Sequence, residues 1–142
     1  MKTISLTMGA LMALVSSAAL SQDGSMAESV TLPDICVTEM GRAAAEAMPP
    51  MPAQHEMDAA HAALMTGMDQ MQTSMMTGMM AADVDVAFNC GMLPHHQGAI
   101  NMARAELAHG DDEESKARAQ KIIDAQQKEI EEILAWLEKQ PK

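Results

Sequence analysis

Thioether and imidazole groups stand out among the side chains of this sequence that could do chemistry. There are 17 Met and five His among 142 residues, against one Phe, one Trp and no Tyr. The sharpest cluster is Phe88-Asn89-Cys90-Gly91-Met92-Leu93-Pro94-His95-His96-Gln97-Gly98-Ala99-Ile100-Asn101-Met102. On a helical wheel with Met92 as origin, His95 falls at about −60°, His96 at about +40°, Met102 at about −80° and Glu106 at about −40°. Met92 can then share a metal with one histidine, with Met102 and Glu106 above it. Ala99 and Ala103 leave room for long side chains from a facing helix. The plainer reading of adjacent histidines is one packed and one solvated.

A second set lies upstream. Met57, His61, Leu64, Met65, Met68, Met71, Met75 and Met79 fall within a helical arc of about 120°. Met76 and Met80 widen this stripe. Met65-Thr66-Gly67-Met68 recurs as Met76-Thr77-Gly78-Met79 eleven residues on, three helical turns later. On one straight helix the copies share a face to within about 20°. A methionine stripe is ordinarily core, since Met fills irregular gaps and forms helix well. Three features favour ligation instead. Ile and Leu further on already supply core; Gly67 and Gly78 each cost about 1 kcal/mol in a helix relative to Ala; and a core loses specificity when built from Met.

A thioether is a soft, uncharged ligand that prefers Cu(I), while imidazole suits Cu, Zn, Fe and Ni. Thiols outside the cytoplasm are readily lost to disulfides, whereas thioethers stay available. Met and His together therefore suit copper held in an oxidising compartment, Cu(I) at sulfur-rich sites and Cu(II) at His/carboxylate sites, with Ag(I) as a surrogate at sulfur. The N-terminus agrees. Lys2, an apolar run from Ile4 to Leu20 and small residues around Ser21 describe a secretory signal peptide over residues 1–21, with export to the periplasm. After cleavage no stable membrane association is expected. The formal charge of −11 weighs against binding nucleic acid or anionic lipid, and adds a weak attraction for cations.

Helices must position these groups. Residues 22–53 read as an N-terminal extension, with a short helix from Pro33-Asp34 to Ala47 and a Met/Pro-rich linker through Met48-Pro49-Pro50-Met51-Pro52. Residues 54–142 read as the Met/His-rich bundle domain, helical almost throughout. One helix is expected from Gln54 to Ala82. A second, capped by Asp83, runs to His109 and stops at Gly110, with a kink or a start at Pro94. A third is capped by Asp111 and carries Ile123, Gln126, Ile130, Ile133 and Leu137 as its inner stripe, Gln126 being the one polar member. Short connections imply antiparallel neighbours. The expected fold is all-α: an antiparallel bundle of three long helices plus one short N-terminal helix.

The block Met92-x-Pro94-His95-His96-Gln97-Gly98-Ala99, followed by Met102-Ala103, resembles the signature of a domain-of-unknown-function family (number three hundred and five) that includes CopM-like periplasmic copper-binding proteins. The resemblance covers roughly Met57 to Leu137, including Asp85, Phe88 and Glu131 to Trp136. It implies a ferritin-like bundle that binds copper in the periplasm and contributes to copper tolerance, with Met92, His95, His96 and Met102 as ligands. A copper donor or acceptor protein is a further partner it allows. One position departs: residue 90, often basic in relatives, is Cys90.

Cys36 and Cys90 are an even count in an exported chain, which favours a disulfide. Closing that loop would contribute about 4 kcal/mol at most. The alternative is a Cys90 thiolate in the metal site. Three other functions compete with copper sequestration. A di-metal oxidase needs two Glu-x-x-His units, and only Glu106-Leu107-Ala108-His109 fits. A Met-rich groove could bind amphipathic peptides without metal, or the sulfurs could act as an oxidant sink. No triad, phosphate loop or paired-carboxylate arrangement stands out, so an enzyme is not expected.

Overall fold

The computed structural model describes residues 27–49 and 57–141. The expected signal peptide over residues 1–21 and the linker residues Pro50 to Pro52 lie outside them, as does the expected helix start at Gln54. Among the described residues the chain is all helical, without strands. None of these helices is long and apolar enough to cross a membrane. A single 3-10 turn at Asp34–Cys36 precedes α1 (Glu39–Glu46), α2 (Ala59–Met65), α3 (Met68–Met79), α4 (Val84–His109) and α5 (Glu113–Leu137).

Helix α4 is the centre of the bundle. Asp83 caps it by accepting from the amides of Asp85 and Val86 at 2.9 and 3.0 Å, which satisfies two of the donors every helix start leaves orphaned. It runs unbroken through Pro94 to His109 and leaves through Gly110 in extended conformation. Helix α5 lies antiparallel along one side of α4. Their shared core is branched and aliphatic. Ile100, Ala103, Ala119 and Ile123 form one cluster, and Val86, Leu93, Leu137 and both cysteines form the other. Full burial of a residue such as Leu93 or Ile100 contributes about 1.5–3 kcal/mol. The expected inner stripe of α5 is present, with Ile123 and Leu137 buried and Ile130 and Ile133 half-buried between them.

Helix α3 covers another side of α4, also antiparallel. Gly78 stands so close to Cys90 that a Cβ there would lie 2.7 Å from the Cys90 carbonyl oxygen. Pro94 is what leaves that carbonyl without its helical donor. On the outside of α3 sits α1. Its N-cap Thr38 accepts from the Gly41 amide at 3.0 Å and donates to the Met80 carbonyl at 3.1 Å, tying the start of α1 to the end of α3. The extension is clamped from its other end by the Cys36–Cys90 disulfide, both residues being fully buried.

Three expectations need correction. The single helix from Gln54 to Ala82 is two helices, because Gly67 adopts φ 85. That left-handed geometry ends α2 and opens α3, and only glycine takes it without strain. The two Met-Thr-Gly-Met copies therefore do not continue one helix face. The cap of α5 is Asp112, not Asp111: its carboxylate accepts from the Ser115 amide at 2.7 Å. The short N-terminal helix also begins later than Pro33-Asp34, after a separate 3-10 turn, because Thr38 supplies the cap.

Candidate metal centre

The Pro-His-His block straddles two environments. His96 is 6 % exposed and lies between α4 and α5. His95 is exposed, its ring set edge-on to that of His96 with centroids 5.9 Å apart. Met92 stands one turn before His96 and shares with it a shallow groove of about 460 Å³, walled on the α5 side by Glu129, Glu132, Ile133 and Trp136. The structure thus joins Met92 to His96 in one groove, and His95 is not among the residues that line it.

The polar chemistry of the groove centres on His96. Its Nε2 lies 3.0 Å from Oε2 of Glu129. The same carboxylate oxygen accepts from Gln126 Nε2 at 3.1 Å, so the polar member of the α5 stripe steadies the carboxylate that meets the histidine. The other ring nitrogen, Nδ1, is buried with no hydrogen-bond partner among the described residues. Burial pushes the His96 pKa down, an effect only partly offset by the Glu129 carboxylate. A neutral imidazole with one bare nitrogen is the form that binds a metal ion.

Met102 does not join this groove. It lines a separate one with Ala99, Glu106, Arg118 and Ile122. The expected shared site of Met92, one histidine, Met102 and Glu106 is therefore split between two places along α4.

The upstream sulfurs are arranged by glycine. Met71 packs onto Gly98, and Met79 onto Gly91, where a Cβ would fall 2.7 Å from the Met79 Cγ. These contacts, with Gly78 over Cys90, let α3 lie close to α4. Met65, Met68 and Met75 are half-buried, and Met57 and Met79 are exposed. No methionine among the described residues is buried. His61 lies on the exposed side of α2, with Nδ1 2.7 Å from Oδ2 of Asp58, the residue whose other oxygen caps that helix. It serves the helix start and is not gathered with the other histidines among the described residues.

Among the described residues no three His, Cys, Asp or Glu side chains converge as a metal site. The disulfide removes Cys90 as a thiolate ligand. Sequence reasoning missed Glu129. Its only signal was position: it follows Gln126 by three residues, and so continues the polar gap in an otherwise apolar stripe.

Fold and groove together define a small, disulfide-clamped all-α bundle with a thioether–imidazole–carboxylate seam between its two longest helices. The chain belongs to the family described as Domain of unknown function (DUF305), which matches residues 9–137. No curated protein matches it.

Proposed function

We propose that this is a periplasmic copper-binding protein that sequesters or carries Cu(I) and Cu(II) through Met and His ligands and contributes to copper tolerance. The observation that carries the reading is the separation of sulfur from core. The buried core is Leu, Ile, Val, Ala and the disulfide, mostly between α4 and α5, whereas every described methionine keeps some solvent exposure. Packing alone gives no reason to collect so many flexible, poorly specifying side chains on α2 and α3. Accessible thioethers are a soft-ligand surface suited to Cu(I) and Ag(I). The His96 groove, with its imidazole and carboxylates, suits Cu(II).

Anaerobic Cu(I) titration with mass spectrometry of the mature chain tests this. Several Cu(I) ions per chain are expected. Replacing Met68, Met71, Met75 and Met79 together by Leu, which preserves volume, should cut that number. The pair His95→Ala and His96→Ala should abolish Cu(II) binding while sparing much of the Cu(I) capacity. Equal copper loading in the Met-depleted variant and the unsubstituted chain would overturn the reading.

A further inference from the structure

The two nitrogens of His96 are not equivalent. Nε2 reaches across to α5 and meets the Glu129 carboxylate at 3.0 Å. An ionised carboxylate can only accept, so the ring proton resides on Nε2. That carboxylate is itself held by Gln126. Nδ1 is then a bare lone pair, buried and without a partner among the described residues. It is bonded to Cγ and so stays on the α4 side of the ring, where Met92 stands one turn back in the same groove. Metal-bound histidines commonly have this arrangement, one nitrogen donating to a carboxylate and the other free for the ion.

We propose that Glu129 is the positioning residue of the metal site: by accepting the Nε2 proton of His96 it fixes the tautomer that leaves Nδ1 free for copper, with Met92 lining the same groove. This rests on the copper reading above. It goes further in naming the ligating atom and a residue on α5 that selects it. Binding at Nδ1 displaces no proton, since the Nε2 proton stays on Glu129's side of the ring.

Nitrogen–proton correlation NMR of the histidine rings in the full mature chain reads the tautomer directly. Before metal is added, His96 should carry its proton on Nε2. Adding Ag(I), a diamagnetic stand-in for Cu(I), should move the Nδ1 resonance and leave the Nε2 proton in place. Glu129→Ala should mix the two tautomers and weaken Cu(II) binding at this groove about 10- to 100-fold in competition with a colorimetric chelator. Glu129 is half exposed on the α5 surface, and Ala is a strong helix former, so far-UV circular dichroism should be unchanged. Glu132→Ala is the matched comparison. Glu132 walls the same groove but pairs with Lys128 at 3.4 Å, and its removal should leave the tautomer and the affinity as they were. A proton on Nδ1, silver on Nε2, or equal weakening by Glu132→Ala would each overturn the proposal. If the unsubstituted chain binds neither Cu(I) nor Ag(I), the copper reading itself fails. An Nε2 proton without metal binding would leave Glu129 a structural partner only, and the ligand assignment would fall.

Discussion

Asn101 holds the main chain of Glu28 with both ends of its side-chain amide. The Glu28 amide donates to Asn101 Oδ1 at 3.2 Å, and Asn101 Nδ2 donates to the Glu28 carbonyl at 2.8 Å. Asn101 is 6 % exposed. Its amide thus treats a passing backbone as a strand partner would, and fastens the N-terminal extension across α4. Arg104, one turn on, adds an ion pair to the Glu28 side chain at 2.9 Å, which solvent weakens.

Asn101→Ala should therefore destabilise the fold by about 1–3 kcal/mol, because it leaves a partly buried backbone amide and carbonyl without partners. Urea unfolding measures the loss. Hydrogen exchange locates it: the Glu28 amide should lose protection while amides beside Ile123 keep theirs. An unchanged Glu28 exchange rate would mean that the Arg104 pair and the disulfide hold the extension without Asn101.

Much of this fold is legible in the sequence, and the exceptions share a cause. Asp83 and the Ile123–Leu137 stripe are local signals, and both delimit real helices. Gly67 and Gly78 occupy the same place in two copies of one four-residue motif, yet one breaks a helix at φ 85 and the other lies inside a helix against Cys90. Nothing within the motif separates them. What differs is the neighbour: Gly67 lies against Ala27 of the crossing extension and Asn101 of α4. The pairs Glu28–Asn101 and His96–Glu129 are equally silent in any periodicity, because each joins distant stretches of chain through a single contact. The disulfide was legible because the chain has only two cysteines, which leaves a single possible intramolecular pairing.

Gly78→Ala sets two opposed effects against each other. Ala is better than Gly in a helix by about 1 kcal/mol. A Cβ at this position, however, would lie 2.7 Å from the Cys90 carbonyl oxygen and 2.8 Å from its carbon. The obstacle is backbone, fixed by the disulfide at that same residue, so it cannot turn aside. Overpacking of this kind costs about 1–3 kcal/mol, and the net effect should be destabilising. If the urea midpoint rises instead, α3 can move away from α4 at little cost. A displaced α3 would also carry Met71 and Met79 off Gly98 and Gly91, so the same variant should alter Cu(I) stoichiometry.

The start of α5 makes acid stability depend on one exposed carboxylate. The Ser115 amide donates to Asp112 Oδ1 at 2.7 Å, and this hydrogen bond is the main reason the Asp112 pKa falls below its usual 3.8. Between the lowered value and 3.8 the unfolded chain binds more protons than the folded one, so stability rises with pH across that window. The contribution is complete above pH 3.8 and is lost as pH falls through the lowered value. Asp112→Asn keeps an oxygen that accepts from Ser115 but does not titrate. The variant should lose some stability at neutral pH, where it lacks the negative charge that suits a helix start, and should show a shallower decline on acidification. Urea midpoints measured from pH 5 down to pH 2 would show the two curves converging. Parallel curves over that range would place the acid sensitivity elsewhere, with Asp58, whose pKa is lowered by bonds to His61 at the start of α2, as the next cap to substitute.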